Sequence, residues 1–509
     1  MTPPEKRTDM KKHLLFLLPL CLICSSLSSQ SWVVNYHGDY PSGRTHFSSG
    51  FIDLDGVTFL SGNAGPDNER PKALLMRIDP DGNHQEFIYH KDDYYSEATC
   101  ILETDEHHLF VAGVLFNEND YYLLTLLLDK NLNLLKEQWY EKEVEATSFG
   151  SCKAVSDSHG NIIVATTVNQ PGDYGTIFEH GVFFKFDHHG NLISHRYLIA
   201  DYPDPVYFLM YFRLKQMWYH EENETLLCLA WGNGNVNSFI TFDSAFNYIY
   251  EYPIWRDHSE KSDHTLYNDC YTDFWYSDEE ALFFGGKGDD EHNRLRISRV
   301  NTQGEFLQYK HLHERLDTID SPAKQRCMAT INDSTFYFSF YQHVESYYPG
   351  QACVYKLNKN MDIIGRYIDN THRAFRTYLI FPTCDGGCIT VNDSCNMETT
   401  TKFSHPVISK INKEDFETVT WSVCKSESKN TRLYPNPTNG ILMISLDKAL
   451  PYNTSCRICD QYGCTIIDRE IFGDGDVLQL DITNLKAGIH VITIYTDNET
   501  LLSEKFIKQ

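Results

Sequence analysis

The sequence predicts an all-β protein: a seven-bladed β-propeller followed by a small immunoglobulin-like β-sandwich. Three observations support this prediction: a hairpin pattern that recurs seven times, a separation of 50 to 58 residues between successive copies, and little helical periodicity. Tyr (32 residues) and Phe (30 residues) are abundant, and aromatic side chains suit the pleated, half-buried surface of a sheet. A steady period of this length indicates one supersecondary unit that is repeated along the chain.

The clearest copy of the hairpin lies between Gly181 and Leu198. It reads as a strand, a tight turn at 187–191 and a second strand. Gly190 and Asn191 tolerate positive φ, and the Asp187 carboxylate can accept hydrogen bonds from its own backbone. The Asp or Asn that opens each turn marks the seven copies: Asp79, Asp129, Asp187, Asp243, Asn301, Asn358 and Asn412.

Each hairpin follows another apolar strand, such as HHLFVAGV at His107, and a shorter run precedes that strand. Four strands per period and seven periods match the blades of a propeller. A parallel β-helix has much shorter coils, and a helical solenoid needs a 3.6-residue period that the sequence lacks. The Gly-His and Trp-Asp pairs of WD40 repeats and the Gly-Gly pattern of kelch repeats do not mark these copies.

Residues 1–30 are predicted to be a secretory signal peptide. Lys11 and Lys12 precede an apolar run from Leu14 to Cys24, and small residues follow it. The eleven residues of that run are too few to span about 30 Å of hydrocarbon, which argues against a membrane anchor. Leu20 and Ile23 precede the two cysteines, which argues against a lipoprotein signal. No other stretch is long enough to span, so we expect no transmembrane segment in the mature chain.

The composition is that of a folded, acidic protein. Hydrophobic residues make up 41% of the chain, enough for a large core, and the formal net charge is −26. This charge would repel nucleic-acid phosphates and anionic membranes, so we expect no nucleic-acid partner. Solubility outside the cell is the simplest reason for it, and a cationic partner or a metal is not required.

The propeller is predicted to occupy residues 31–425, and a linker at 426–432 leads to the terminal domain at 433–509. Strands at Ser31–Gly38 and Thr418–Cys424 are expected to be neighbours in the last blade. A propeller commonly closes in this way, one terminus completing the blade that the other begins. Which of the two strands is outermost stays open in the sequence.

Thirteen cysteines remain outside the signal peptide, and an odd number cannot pair completely within one chain. Cys384 and Cys388 flank a turn and form the first candidate disulfide, with Cys395 as another partner for either. Cys459 and Cys464 could close a further hairpin. Four cysteines occupy similar places in successive repeats and are expected to be buried as small hydrophobes: Cys100, Cys152, Cys270 and Cys327.

No catalytic or metal-binding motif stands out, so we predict no cofactor and name no metal ligand. His107–His108 and His188–His189 are expected to be solvated turn residues. Acidic connectors between repeats are expected to be solvated loops as well, although together they could bind calcium. Aromatic residues in those loops could stack on sugar rings or pack between blades: Tyr94, Tyr95, Tyr202, Tyr207, Trp255 and Tyr267.

Three motifs in order characterise residues 433–509. LYPNPTNG contains Tyr434, Pro435, Asn436, Pro437 and Gly440; an Asp-x-x-Gly hairpin ends at Gly463; and LKAGIHVITIY contains Gly488 ahead of a Lys-rich end. Together they resemble the type A C-terminal sorting domain of the type IX secretion system. His490 stands where Tyr is usual in that family, and Cys464 where a basic residue is common.

The resemblance implies a partner and a destination. It implies recognition by the type IX outer-membrane translocon after Sec export to the periplasm, and a secreted or cell-surface protein. The residues alone indicate an accessory sandwich module, with prolines that stiffen an extended segment and alternating runs that build two sheets. Whether the domain is cleaved stays open.

The function of the propeller is predicted from its loops. We expect a noncatalytic binding protein that recognises a glycan or a protein, because the loops are rich in aromatics and no catalytic motif is present. The alternative is a polysaccharide hydrolase or lyase whose paired carboxylates meet in the propeller funnel. A structural surface component without a small-molecule site is the third reading.

Overall fold

The computed structural model describes residues 31–36, 43–66, 71–142, 148–171, 177–198, 212–231, 237–253, 270–277, 281–287, 295–301, 306–312, 318–323, 325–332, 335–344, 351–369, 374–395, 404–418, 432–445, 454–460, 465–471, 477–495 and 500–509. The chain divides into two compact units, Met1–Thr418 and Val419–Gln509. The predicted signal peptide (1–30) and most of the predicted linker (426–431) lie outside the described residues.

The first unit consists of successive antiparallel sheets, and the described residues form seven of them. The first described strand, β1 (Trp32–Asn35), belongs to the last sheet. Sheets 1 to 4 follow in chain order. Sheet 1 contains β2 (Gly43–Ile52), β3 (Thr58–Pro66), β4 (Lys72–Ile78) and β5 (His84–Tyr89); sheet 2 contains β6 (Tyr95–Glu103), β7 (Leu109–Phe116), β8 (Tyr121–Leu128) and β9 (Leu134–Glu141); sheet 3 contains β10 (Ser148–Phe149), β11 (Lys153–Ser156), β12 (Ile162–Pro171), β13 (Ile177–Phe186) and β14 (Leu192–Tyr197); sheet 4 contains β15 (Arg213–His220), β16 (Thr225–Trp231), β17 (Asn237–Phe242) and β18 (Tyr248–Pro253).

Sheets 5 to 7 continue the same meander. Sheet 5 contains β19 (Cys270–Ser277), β20 (Ala281–Lys287), β21 (Leu295–Asn301) and β22 (Phe306–His311); sheet 6 contains β23 (Thr318–Pro322), β24 (Met328–Asn332), β25 (Thr335–Val344), β26 (Gln351–Asn358) and β27 (Ile363–Ile368); sheet 7 contains β28 (Ala374–Pro382), β29 (Cys388–Cys395), β30 (Ser404–Ile411) and β1. A 3₁₀ turn at Lys413–Asp415 leads to β31 (Glu417–Thr418), which joins the edge of sheet 6.

A five-residue turn recurs between the last two strands of these sheets. In sheet 3, Oδ1 of Asp187 accepts the backbone N–H groups of His189 (2.9 Å) and Asn191 (2.8 Å). Oδ2 of Asp187 accepts Nδ2 of Asn191 at 2.7 Å. The fourth turn residue has positive φ, which favours glycine, and Gly190 occupies that place here.

The same turn confirms most of the predicted markers. Asp79, Asp129 and Asp243 accept equivalent bonds, and Asn358 opens the turn of sheet 6 with Asp362 as its partner. Asn412 differs, because it opens the 3₁₀ turn instead. Asn301 ends β21, and residues 302–305, which would form its turn, lie outside the described part.

Neighbouring sheets pack face to face through shared apolar cores. Sheets 1 and 2 share one, as do sheets 2 and 3, sheets 3 and 4, sheets 5 and 6, and sheets 6 and 7. Sheets 4 and 5 come together where β15 lies beside β19. Sheet 7 in turn shares a core with sheet 1, in which Ile408 and Val34 of sheet 7 are buried with Phe47 and Leu60 of sheet 1.

The N-terminal strand β1 is the outermost strand of sheet 7, where it pairs with β30 from Trp32↔Lys410 to Asn35↔Val407. The expectation that the segment beginning at Thr418 also belongs to this sheet is wrong at Thr418. That residue pairs with Gly365 of β27 in sheet 6. The physical reason is that β1 already occupies the outer edge of β30, so the chain beyond the 3₁₀ turn pairs with the edge of the preceding sheet. Residues 419–424 lie outside the described part.

The second unit contains two antiparallel sheets. One holds β32 (Arg432–Tyr434), β33 (Ile441–Ser445) and β36 (Val477–Asp481), and the other holds β34 (Ser455–Asp460), β35 (Thr465–Glu470), β37 (Gly488–Tyr495) and β38 (Thr500–Lys508). Both contribute to one apolar core, which includes Leu442, Ile444, Ile458, Ile492 and Phe506. Alternate residues of β37 are buried, as expected of a sheet with one face on a core.

Candidate functional site

The proline-rich motif of the second unit is hydrogen-bonded to the last strand of the chain. Nδ2 of Asn436 donates to the Lys505 carbonyl oxygen at 3.0 Å, and the Ile507 N–H donates to Oδ1 of Asn436 at 2.9 Å. The amide of Asn436 therefore pairs with β38 in the way that a strand backbone would. Pro435 and Pro437 flank it, and both are exposed. Tyr434 ends β32 with 45% of its surface exposed.

Thr438 and Gly440 continue this attachment. Thr438 is buried; its N–H donates to the Ile507 carbonyl oxygen at 2.8 Å and its own carbonyl accepts the Gln509 N–H at 2.9 Å. The carbonyl of Gly440 accepts the Ile482 N–H at 2.7 Å. The motif is thus held in one conformation by the C-terminal strand and by the turn after β36. Thr438 belongs to the motif LYPNPTNG, but its burial and its backbone hydrogen bonds are seen only in the structure.

Of the other predicted motif positions, Gly488 and His490 lie on β37, which pairs with the C-terminal strand β38. Gly488 begins β37 with φ of +151°, which favours glycine over residues with a Cβ. His490 is buried; its Nε2 lies 2.9 Å from the Lys486 carbonyl oxygen and its ring stacks on Phe506 at 5.4 Å. The imidazole ring of His490 thus makes a ring contact at the position where the family usually has Tyr. Gly463 and Cys464 lie outside the described residues.

A stack of three aromatic rings lies at one end of sheet 2. Tyr95, Phe116 and Tyr121 are register partners on β6, β7 and β8. The rings of Tyr95 and Phe116 are 5.0 Å apart at an interplanar angle of 11°, and those of Phe116 and Tyr121 are 5.3 Å apart at 2°. All three are half-buried, and Nζ of Lys142 lies 5.8 Å from the Tyr121 ring. We call these three residues the aromatic stack.

The aromatic stack lies opposite the tight turns. Tyr95 and Tyr121 begin their strands and Phe116 ends its strand, whereas the turns at 104–108 and 129–133 join the other ends. Of the aromatics expected in this region, Tyr95 lies in the stack. Tyr94 packs with Tyr122 and Trp139 at ring distances of 6.0 and 6.2 Å, next to the core shared by sheets 1 and 2. Tyr202, Tyr207, Trp255 and Tyr267 lie outside the described residues.

The cysteine predictions divide. Cys100, Cys152 and Cys327 are buried, as predicted, and burial raises the pKa of the Cys152 thiol to about 11. Cys384 and Cys388 are free thiols in the structure, which corrects the predicted disulfide. Cys388 lies in the core shared by sheets 6 and 7, whereas Cys384 is exposed in the turn before it.

The remaining cysteine predictions rest on residues that are only partly described. Cys459 is a free thiol too, and Cys464 lies outside the described residues. The side chains of Cys270 and Cys395 are also outside the description.

The predicted turn histidines lie in the described residues, whereas most of the acidic connectors do not. His107 is exposed and its Nδ1 lies 2.6 Å from Oε1 of Glu103. His188 and His189 lie in the Asp187 turn, as predicted, but they contact Glu106 of sheet 2 rather than solvent alone. Most of the acidic connectors, including 201–205, 256–264 and 288–292, lie outside the described residues, so the calcium prediction remains a prediction.

The family model described as the secretion system C-terminal sorting domain matches residues 432–509. Residues 432–509 are a C-terminal sorting domain of type IX secretion. The protein is therefore exported, and its destination is the medium or the cell surface. In the described residues, no helix is both long enough and apolar enough to cross a membrane. The sorting domain implies recognition by the secretion machinery.

Three similar solved structures have sequence identities of 9–12% to this chain. A fungal alcohol oxidase of the AA5 family in complex with copper has 12% identity and a TM-score of 0.46, covering 94% of this chain and 99% of that chain. A protein of unknown function from Dyadobacter fermentans has 10% identity and a TM-score of 0.44, and the match covers 64% of this chain and 96% of that chain. The polysaccharide lyase Uly1 has 9% identity and a TM-score of 0.44, covering 72% and 90%. No protein of curated function matches the sequence.

Proposed function

We propose that the first unit, Met1–Thr418, contains the seven-bladed β-propeller that the sequence predicts at residues 31–425. Two observations support the closed arrangement. Each described sheet contacts the next, and sheet 7 shares an apolar core with sheet 1. Trp32, on the outer strand of sheet 7, donates its Nε1–H to the Pro80 carbonyl oxygen in the turn of sheet 1. Lys136, on the outer strand of sheet 2, reaches the corresponding turn of sheet 3 at His189. Sheet 7 thus contacts sheet 1 as sheet 2 contacts sheet 3.

The sorting domain is proposed to be an immunoglobulin-like sandwich that the outer-membrane translocon recognises as a folded surface. The support is that the proline motif and the C-terminal strand form one hydrogen-bonded unit through Asn436. Deletion of 433–509 is expected to leave the protein in the periplasm. Asn436→Ala is expected to lower the secreted fraction, and Asn484→Ala, at an exposed residue of the same domain outside the three motifs, is the control. Normal appearance of the deletion protein in the medium or on the surface would refute this role.

The proposed function of the propeller is noncatalytic recognition of a glycan or a protein outside the cell. The aromatic stack carries this proposal, because three parallel, half-buried rings at the strand ends present aromatic surface at low entropic cost. Lys142 beside Tyr121 adds a cation that can hydrogen-bond to hydroxyl or carboxylate groups. A sugar ring or an exposed side chain of a partner would stack on such a surface.

The test is a glycan array and a surface-protein pull-down with the full chain, followed by titration of the ligand that binds. Tyr95→Ala and Tyr121→Ala are each expected to weaken binding about tenfold, which corresponds to about 1.4 kcal/mol. Tyr250→Ala is the control, because Tyr250 is 38% exposed on the outer strand of sheet 4. Unchanged affinity in both stack variants would refute the assignment of the stack.

The alternative, a polysaccharide hydrolase or lyase, remains a prediction. It requires paired carboxylates in the funnel, and the acidic connectors that would supply them lie mostly outside the described residues. A glycan that binds in the array should therefore also be incubated with the protein and its chain length followed. Shortening of the glycan by the wild-type protein would favour the enzyme over the binding protein.

A further inference from the structure

Three potential metal-binding side chains from two sheets meet beside the tight turns. Oε1 of Glu106, in the first turn of sheet 2, lies 3.4 Å from Nε2 of His188 in the last turn of sheet 3. Oε2 of Glu106 lies 3.2 Å from Nδ1 of His189. One ligand atom from each residue can be chosen so that all lie within 4.8 Å of one another. This group lies at the end of the sheets opposite the aromatic stack.

Hydrogen bonds hold the backbones of both turns. The backbone N–H groups of His189 and Asn191 donate to Asp187, and Nζ of Lys136 lies 2.6 Å from Oδ1 of Asn191 and 3.3 Å from the His189 carbonyl oxygen. The turn that carries Glu106 is closed by hydrogen bonds between Thr104 and His108. A site built on such turns loses little conformational entropy when it binds an ion.

A fourth side chain, that of His108, adds an independent observation. Its Nδ1 is buried without a hydrogen-bond partner and lies 3.7 Å from Oε2 of Glu106. That separation exceeds the range of a hydrogen bond, so the buried nitrogen is unsatisfied. A shift of the carboxylate by about 0.5 Å would give His108 an acceptor. Such a contact would orient Glu106 in the way that outer partners orient metal ligands.

We propose that Glu106, His188 and His189 bind a zinc ion that joins sheets 2 and 3. Imidazole nitrogens and a carboxylate oxygen are typical zinc ligands, at about 2.0–2.2 Å in tetrahedral geometry. Tetrahedral bonds of that length place the ligand atoms roughly 3.3 Å apart. Each histidine lies near this distance from one of the two Glu106 carboxylate oxygens, and one ligand atom from each residue lies within 4.8 Å of the others. Three protein ligands leave the fourth coordination position for water. Solvent can reach that position because the cluster is half-exposed. Calcium, which takes six to eight oxygen ligands, is a poor match.

The proposal is tested by titrating zinc chloride into the metal-stripped full chain. Isothermal titration calorimetry measures the heat of binding, and thermal unfolding measures the change in the midpoint. One zinc ion per chain is expected to bind. At about a hundred times the dissociation constant, the unfolding midpoint should rise by about 3 °C and EDTA should reverse the rise. Calcium chloride at the same concentration should leave the midpoint unchanged, because the site is a poor match for calcium.

Substitutions distinguish this site from nonspecific binding. Glu106→Gln, His188→Gln and His189→Gln are each expected to weaken zinc binding at least tenfold, and His108→Gln is expected to weaken it less. His159→Gln is the matched control, because His159 occupies the third place of the Asp157 turn in sheet 3 and lies outside the cluster. Far-UV circular dichroism of the metal-free variants checks that they fold. Absence of saturable zinc binding, or equal binding by Glu106→Gln and wild type, would overturn the proposal.

Discussion

The replacement Asp157→Ala tests how the turns stabilise the first unit. Asp157 opens the turn before β12, and its side chain is 1% exposed. Its Oδ1 accepts the backbone N–H groups of His159 and Asn161, and its Oδ2 lies 2.7 Å from Nζ of Lys185 on β13. Burial by itself would raise the pKa of this carboxyl. The hydrogen bonds from Lys185 and from the turn outweigh burial and hold the pKa below its usual value.

The size of the effect follows from what the substitution leaves behind. The side chain of Lys185 is 18% exposed, so its ammonium group would lose its partner in a largely buried place. Removing one member of a buried pair costs about 3–5 kcal/mol, and the remaining exposure of Lys185 places the value near the lower end, at about 3 kcal/mol. Asp129→Ala removes the same turn bonds at an exposed site where no described lysine is ion-paired with it, and about 1 kcal/mol is expected there.

Urea unfolding of the full chain, followed by tryptophan fluorescence, measures the difference as a shift of the midpoint. The decrease in the urea midpoint caused by Asp157→Ala should be about two to three times the decrease caused by Asp129→Ala. The double variant Asp157→Ala/Lys185→Met should recover part of that loss, because it removes the unpaired charge. If Asp157→Ala costs no more than Asp129→Ala, or if the second substitution recovers nothing, the buried pair does not contribute as argued.

Acid sensitivity, thiol reactivity and glycine packing can be tested in the same full chain. The pKa values of Asp79, Asp157, Asp187 and Asp243 are lowered because the hydrogen bonds of their turns outweigh burial, and that of Asp129 chiefly because of the Asn133 side chain. Their contribution is present above the ordinary aspartate pKa and is lost as the pH falls through the lowered values, so thermal midpoints should drop from about pH 4 downward. Among the cysteines of described burial, Cys384 should react first with maleimide and Cys152 only after unfolding, because burial raises the pKa of Cys152 to about 11; equal labelling rates would contradict this. Gly113→Ala should destabilise by about 3 kcal/mol, because its Cβ would lie 1.8 Å from the Glu97 carbonyl oxygen; Gly365→Ala, whose nearest contact is 3.4 Å, is the control for the denaturant midpoint.

The sequence predicts well what short stretches decide. Five residues, such as those from Asp79 to Asn83, contain every donor and acceptor of the recurring turn, so the markers can be recognised without tertiary information. The same holds for the sorting domain, whose motifs identify its family. The prediction of a Cys384–Cys388 disulfide failed because proximity in sequence does not fix side-chain direction. Gly386 has φ of +81°, and the turn it completes leaves Cys384 exposed while Cys388 enters the core.

Contacts between sheets were harder to predict, because they depend on which turns become neighbours. The structure shows that these neighbours follow a rule. Outer-strand side chains reach the turn of the next sheet at a nearly constant separation: 48 residues for Trp32 and Pro80, 53 for Lys136 and His189, and 51 for Arg196 and Asn247. The similar offset at Trp32 relates the first strand to sheet 1 as the outer strands of sheets 2 and 3 relate to the sheets that follow them, and this supports the proposed closed ring.

A second offset joins the first turn of one sheet to the last turn of the next. Nζ of Lys130 lies 2.8 Å from Oδ2 of Asp53, 77 residues earlier, and the histidines of the Asp187 turn meet Glu106 by the same relation. At the boundary of sheets 1 and 2 this place holds a lysine–carboxylate pair, whereas at the boundary of sheets 2 and 3 it holds two imidazoles and a carboxylate. An ion pair satisfies the first place without a metal. In the second, two imidazoles take the place of the lysine, and in their neutral form they offer nitrogen ligands beside the Glu106 carboxylate, which is the physical reason to place a metal ion there.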